Sequence, residues 1–295
     1  MLDTNKYFWT GVVFLLPISA MMLTFLVVPS MQTIALSLTS WTGIGRITYV
    51  GLENYRIIMD DASFLRALKR TLFMGFSIAL LTNLFGLTLA LALDRAFRTQ
   101  KALRALFFIP KLIPIVVAAF IWKYMLDANN GMINKVLSEL LGRDVKLLLI
   151  DTPGNVVWTV IGIAVWQIVG PVMLVYLAAL QTVPHELKEA GLIDGANAWQ
   201  RFRSIVLPLI APGITINVLI GLANGLKLFD LPFALTGGGP ANASETLAIR
   251  IYSNAFQSSE LGYGMAGAFV LTGVVLVITF VFVFLSKKYE GTVHG

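Results

Sequence analysis

The sequence predicts an all-α membrane protein with six transmembrane helices. Two observations carry that reading. The chain is 57% hydrophobic and only 13% charged, with a mean hydropathy of +0.79, and six of its stretches are long and apolar enough to cross a bilayer. Charged residues make up ~25% of an ordinary globular chain, so 295 residues this apolar would aggregate in water, and lipid must act as the solvent. There is no cysteine, which excludes disulfides, thiolate metal sites and a cysteine nucleophile. The net charge of +6 and pI of about 9.5 would suit nucleic acid in a soluble protein. Here no basic, aromatic-interleaved stretch lies outside the spans, and Lys and Arg of membrane proteins gather where they meet anionic headgroups. Membrane lipid is therefore the expected partner of this charge, and nucleic acid is not.

A helix needs ~20 mostly apolar residues to cross ~30 Å of hydrocarbon. The first stretch, 8–28, carries no charge. Lys6 precedes it, as in a secretory signal, but a signal's apolar core is only ~7–15 residues long. This run is longer and lacks an A-x-A site, so it reads as a retained helix. The second, 71–93, is uncharged, with Asn83 its only strongly polar group. The third, 105–124, holds Lys111 and Lys123 near its two ends, where long side chains can snorkel to the headgroups. The fourth, 156–180, is uncharged. The fifth, 204–231, is uncharged as far as Lys227, and the sixth, 261–286, stops at Lys287-Lys288. No repeat, low-complexity segment or linker interrupts the chain, so 1–295 reads as a single transmembrane domain.

Six spans put both termini on one side. The loop Asp94–Arg104 holds Arg95, Arg98, Lys101 and Arg104, and the loop after the fourth span holds Lys188, Arg201 and Arg203. With Lys6, Lys287 and Lys288 these share one side, and the positive-inside rule makes that side, and both termini, cytoplasmic. Against it stand Arg46, Arg56, Arg66, Lys69 and Arg70 between spans one and two; Phe64–Arg70 reads as an amphipathic interfacial helix leading into span two. Pro17, Pro110, Pro114, Pro171, Pro208 and Pro212 interrupt spans. Such kinks persist in lipid where neighbours satisfy the freed carbonyl, and broken helices often line transport cavities.

The most informative segment is Pro184–Pro212, PHELKEAGLIDGANAWQRFRSIVLPLIAP. Pro184 suits a helix start, and Glu186 and Glu189 near that start are favoured by the helix dipole. Gly195 can supply a left-handed residue to end this helix. A second helix then begins near Asn197 and runs through Trp199, Phe202 and Ile205 into the membrane. The polar stretch, about 184–203, is a helix–turn–helix along the cytoplasmic face. Its small residues Ala190, Gly191 and Ala196 would let another protein approach closely.

Glu189-Ala190-Gly191, Asp194-Gly195-Ala196, Phe202, Ile205, Leu207-Pro208 and Pro212 together resemble the EAA loop of ABC-importer permeases. Gly191 stands where that family more often has Ala, at a cost of ~1 kcal/mol in helix propensity. The resemblance implies a loop that couples to an ATPase subunit through Glu186, Glu189, Ala190, Gly191, Asp194, Gly195 and Ala196. A second block, Phe229-Asp230, Leu235-Thr236-Gly237-Gly238-Gly239-Pro240, Glu245-Thr246-Leu247, Ile251-Tyr252 and Ala255-Phe256, resembles the carbohydrate-uptake branch, which includes maltose and glycerol-phosphate importers. It implies a sugar or oligosaccharide cargo, a second homologous permease, two ATPase subunits that bind ATP and Mg, and an extracellular sugar-binding protein, in the membrane of a bacterium or archaeon. Glycerol phosphate or another polyol derivative is the alternative cargo; it would want Arg or Lys in the path, where only Lys227 stands out.

The chain contains no G-x-x-x-x-G-K-[ST] phosphate loop, so no cofactor is expected in it and hydrolysis would belong to partners. His185-Glu186-Leu187-Lys188-Glu189 begins like HExxH but has Glu where the second His must stand; the other histidine, His294, is in the tail. No nucleophile–base pair stands out, so catalysis by this chain is not expected. A path for hydroxyl-rich sugars wants amides and aromatic faces. Gly221, Asn224, Gly225 and Leu228 follow i, i+3, i+4, i+7 and share one helix face; that these four, with Gln167 and Pro171 on span four, line a substrate path is what the resemblance implies. Gly221-x-x-x-Gly225 fits a close helix–helix contact equally well, whereas an intramembrane amide is costly without a partner. Lys227 and Asp230, three apart, can pair with each other. Gly237–Pro240 reads as a flexible outer loop. A self-sufficient secondary transporter would show intramembrane acids or inverted repeats, and the six spans contain neither.

Overall fold

A computed structural model describes residues 4–94 and 98–294, with side chains from 12 to 288. Arg95, and the side chains of Lys6 and His294, lie outside the described residues. The described elements are helical. Helix α1 (Thr4–Met22) continues through a π-helical turn (Leu23–Val27) into α2 (Val28–Ser37). Then come α3 (Glu53–Asp60), α4 (Ala62–Leu93), α5 (Gln100–Leu112), α6 (Ile115–Met125), α7 (Met132–Leu141) and α8 (Pro153–Gln181). They are followed by α9 (His185–Ile193), α10 (Ala198–Arg201), a π-turn (Phe202–Val206), α11 (Leu207–Leu209), α12 (Ala211–Leu226) and α13 (Asp230–Thr236). Finally α14 (Leu247–Tyr252), a π-turn (Ser253–Gln257) and α15 (Leu261–His294) close the chain. Among the described residues no strand forms beyond an isolated antiparallel bridge between Thr39 and Tyr49.

Val12–Ser37, α4, α8 and Leu261–Lys288 are long and apolar enough to cross a membrane. Two further candidates are bent: α5 with α6 by 96°, and Ala198–Leu209 with α12 by 72°. If each bent pair is one span, the spans are six. The break between α5 and α6 follows from proline. Pro114 forces Ile113 into an extended conformation (φ −79°, ψ 123°), because the ring excludes helical geometry from the preceding residue. The span expected at 105–124 is thus two helices, and the one expected at 204–231 turns at Ile210 and ends at Leu226. Phe64–Arg70 is not a separate interfacial helix but the opening turns of α4.

The chain gathers into two compact units. One comprises residues up to Leu65 with Arg250–Gly273. In it, buried Asn54 donates through Nδ2 to the carbonyls of Ser37 and Thr39, both at 2.8 Å, and so satisfies the end of α2. Asp61 precedes α4: its Oδ1 accepts from the Ser63 N–H at 2.8 Å, its Oδ2 accepts from the Tyr263 hydroxyl at 2.9 Å, and Arg250 lies 3.7 Å away. Burial alone would raise the Asp61 carboxyl; the Tyr263 hydroxyl, the Ser63 and Phe64 N–H groups and Arg250 outweigh it and hold the pKa below its ordinary 3.8. A depressed folded pKa stabilises above the unfolded value, and that stability disappears as pH falls through the folded one. Asp61→Asn, which cannot accept from Tyr263 with its amide nitrogen, is expected to destabilise the protein by about 1–3 kcal/mol at neutral pH. The difference in melting temperature between wild type and variant should shrink as pH drops below 3.8. A difference unchanged with pH would overturn this.

The second unit comprises Arg66–Ile249 with the chain from Val274 on. Its core is α8: 67% of the apolar stretch is buried, against 0% in Val12–Ser37 and 6% in Leu261–Lys288, as expected of helices whose apolar faces meet lipid. Met74, Ile78, Val160, Ile161, Ala164 and Leu231 form one cluster along α8; Ala90, Met173, Tyr176, Leu180 and Ile210 form another. Gln100 Nε2 and Arg104 Nη2 both reach the Leu93 carbonyl, at 2.7 and 2.8 Å, capping α4. Asn83 accepts from the Tyr176 hydroxyl and donates to the Ala79 carbonyl, so the polar group of span two is satisfied within the unit.

Candidate functional site

A cavity of about 280 Å³ opens where α5 and α6 part. Gln167, Asn224, Gly225 and Leu228 line it; four of the six path residues are thus brought together. Gln167 is buried at 4% exposure, and its Nε2 donates to the Ile113 carbonyl at 2.8 Å. That carbonyl is the one the proline break frees, so Gln167 holds the bend open and keeps its Oε1 as an acceptor. Exposed Asn224 donates back to the Ile220 carbonyl at 2.9 Å, which likewise leaves its Oδ1 for a hydroxyl.

Pro171 and Gly221 do not line this cavity. Pro171 is half-buried within a continuous α8. Gly221 and Gly225 pack on α4: a Cβ at 221 would come 3.0 Å from Ala79 Cα, and one at 225 would come 2.7 Å from Gly75 Cα. The small-residue spacing therefore serves helix–helix contact, with Gly225 also at the cavity wall. Lys111, Lys227, Phe229 and Asp230 line the cavity as well. Exposed Lys111, expected near a span end, lines this cavity from the last turn of α5, which stops at the break that Pro114 makes three residues on. Among the described residues no ion pair within 4.0 Å joins Lys227 to Asp230. Lys227 caps α12 with a non-helical backbone (φ −104°, ψ 15°) and Asp230 starts α13, so the i, i+3 geometry of one helix is absent. A groove of about 700 Å³ shares Phe229 and Asp230 with the cavity and adds Phe120, Lys123 and Phe233. Phe229 and Phe233 stack, with ring centroids 5.0 Å apart.

The Gly237–Pro240 loop is pinned rather than flexible. Ser244 donates from its N–H to the Gly238 carbonyl at 3.0 Å and from Oγ to the Gly239 carbonyl at 2.7 Å. Thr246 Oγ1 donates to the Leu228 carbonyl at 2.7 Å, fixing the end of α12 beside the cavity.

The 184–203 segment is a rigid helix–turn–helix. Gly195 has φ +76°, its N–H donates to the Leu192 carbonyl at 3.1 Å, and the Ala196 N–H donates to the Gly191 carbonyl at 3.0 Å. This is the Schellman pattern that satisfies a helix end. Asn197 and Gln200 form a capping box, at 2.8 and 2.9 Å, that starts α10. Glu186, Glu189, Ala190 and Asp194 are exposed, and Glu189 lies 3.6 Å from His185 Nδ1. Gly191 is buried: a Cβ there would meet Ile205 at 2.8 Å and Arg201 at 3.3 Å. Its close approach is to this chain's own next helix. Half-buried Ala196 offers its carbonyl to Arg201 Nη1. Large apolar residues also face outward: Leu192, Ile193 and Trp199 are 57%, 86% and 65% exposed. The sequence places Trp199 on the second helix but does not show that it, Leu192 or Ile193 faces outward, because each could equally face the core.

Residues 82–291 match the family model for the inner membrane component of binding-protein-dependent transport systems. The chain is 32% identical over 294 residues (98% of this chain, 99% of the relative) to the probable starch degradation products transport system permease protein AmyD of Thermoanaerobacterium thermosulfurigenes. It is 33% identical over 288 residues (97% of each) to the multiple sugar-binding transport system permease protein MsmF of Streptococcus mutans. Among solved structures it matches a chain of a bacterial alginate ABC transporter in complex with an alginate pentasaccharide-bound periplasmic protein, with a TM-score of 0.85 over 98% of each chain and 24% identity; at that identity the likeness speaks for the fold. With a family match across most of its length and relatives aligned end to end, the chain belongs to the inner-membrane permease components of binding-protein-dependent transport systems.

Proposed function

We propose that this chain forms one membrane-spanning half of an ABC importer for sugars or oligosaccharides. It pairs with a second, similar permease, receives cargo from an extracellular sugar-binding protein, and docks a cytoplasmic ATPase through the 184–203 loop. Both termini then face the cytoplasm, in the cell membrane of a bacterium or archaeon. ATP and Mg belong to the two ATPase subunits; this chain transmits their closure to the spans. The relatives named for starch products and multiple sugars support the cargo class, as do the amide acceptors and stacked rings along the cavity.

One observation carries the docking. Leu192, Ile193 and Trp199 are apolar and exposed, with Leu187 at 44%, on a loop that also exposes the acidic Glu186, Glu189 and Asp194. An exposed apolar patch rimmed by polar groups marks a protein-binding surface, and the two caps around Gly195 and Asn197 make it stiff enough to transmit force. The test is co-purification in detergent. Wild type should retain an ATPase and a second permease. Ile193→Asp should lose most of the ATPase with its melting temperature unchanged, and Glu189→Ala should weaken retention. A chain that purifies alone and transports in liposomes without ATP would sink the proposal.

A further inference from the structure

The cavity at the α5–α6 break holds cations that a path for neutral sugar does not need. Lys111 and Lys227 line it together with Gln167, and Gln167 is the midpoint of α8, fourteen residues from Pro153 and from Gln181. At 1.5 Å per residue that is about 21 Å from either end. The cavity that these two exposed lysines line is therefore beside the middle of a helix long enough to span, although both belong to helix ends, Lys111 to the last turn of α5 and Lys227 to the C-cap of α12. A lysine at the centre of a spanning helix costs about 2.5–3.5 kcal/mol to insert, so a lysine on the wall of such a cavity is expected to face a partner or water. No ion pair within 4.0 Å is formed by Lys111, Lys123 or Lys227 among the described residues. Asp230 is the single acid on the walls of the cavity and its adjoining groove, against Lys111, Lys227 and Lys123.

We propose that the cargo is an acidic oligosaccharide bearing carboxylates on more than one sugar ring. The cations lie along two joined cavities rather than clustering at one point, which matches a polyanionic chain better than one phosphate group. Lysine offers compact charge and rotatable donors to a carboxylate. Asn224 Oδ1 and Gln167 Oε1 accept from ring hydroxyls, and the stacked Phe229–Phe233 pair presents an apolar face to the ring. Lys227 and Lys123 flank the Phe229–Asp230 step that both cavities share, so the charge continues along the route.

This inference rests on the importer reading above, and the experiment separates the two. The complete transporter, purified with its ATPase, second permease and binding protein, is reconstituted in liposomes. Mixed oligogalacturonates and oligoglucuronates are offered against malto-oligosaccharides of the same lengths, with ATP inside. The expected result is ATP-dependent uptake of the oligouronates over the neutral sugars. Lys111→Gln with Lys227→Gln should lower that uptake at least tenfold, while Lys111→Arg with Lys227→Arg retains the preference for acid. Neutral uptake alone, no oligouronate uptake by a complex that hydrolyses ATP, or a charge preference untouched by the glutamine pair overturns the anionic cargo and leaves the importer standing. Absence of any co-purifying ATPase overturns the importer and this inference with it.

Discussion

Gly170→Ala is expected to lower the melting temperature of the purified protein by roughly 6–12 °C, the largest effect among the glycines of α8. Gly170 is buried where α8 crosses α5, and a Cβ there would come 2.2 Å from the Phe107 carbonyl oxygen and 2.9 Å from Phe108 Cα. Those are backbone atoms, so no side chain can rotate aside, and the helices must part by about an ångström. Overpacking of this kind costs about 3 kcal/mol, and each kcal/mol shifts the melting temperature by roughly 2–4 °C in a chain of this size. Gly162→Ala is the matched control. It lies in the same helix, is exposed, and a Cβ there meets nothing within 4 Å, so the added methyl should be neutral or stabilise by up to about 1 kcal/mol. The two variants melting together in a fluorescence-detected thermal scan would show that α5 and α8 do not meet as described.

Gly195→Pro is expected to abolish retention of the ATPase while leaving the span-forming core folded. Three costs coincide at this residue. Proline fixes φ near −65°, against +76° in the turn. Its missing N–H removes the bond to the Leu192 carbonyl. It also excludes near-helical geometry from the residue before it, where Asp194 has φ −71° and ψ 1°. Together these dismantle the end of α9 and detach it from the capping box that starts α10. Gly195→Ala keeps the N–H and meets no neighbour, so it bears only the left-handed penalty of roughly 1–2 kcal/mol and should keep partial retention. Full retention of the ATPase by Gly195→Pro would mean that the shape of this turn does not matter to docking.

Much of this protein was legible because its signals are local. Apolar runs between polar loops predict spans irrespective of what they pack against, since lipid is a uniform solvent for their outer faces. The caps of the 184–203 loop were readable for the same reason: Gly195 and the residue that follows the turn, Asn197, act on backbone groups only a few positions away. The proline signals were there too, but Pro114 and Pro208 speak of a break and not of its angle. A kink and a 96° bend begin with the same sequence.

Tertiary structure decided which residues meet. Gly191 was read as an outward-facing contact, yet it turns onto Ile205 fourteen residues on, because α9 folds back against the helix that follows it. Gly225 lies on a cavity wall and also against Gly75, a pairing across 150 positions that no periodicity encodes. Lys111 lies near the end of an apolar stretch by sequence, yet it lines the same cavity as Gln167 of α8, which takes the carbonyl freed at Ile113 and holds the bend. Sequence by itself determined where the apolar spans lie, their lipid-facing character and the family of the loop, all of which depend on neighbours within a turn or two. The wall of the path and its charge depended on packing between helices far apart in the chain, and that packing is a property of shapes meeting rather than of any one stretch of residues.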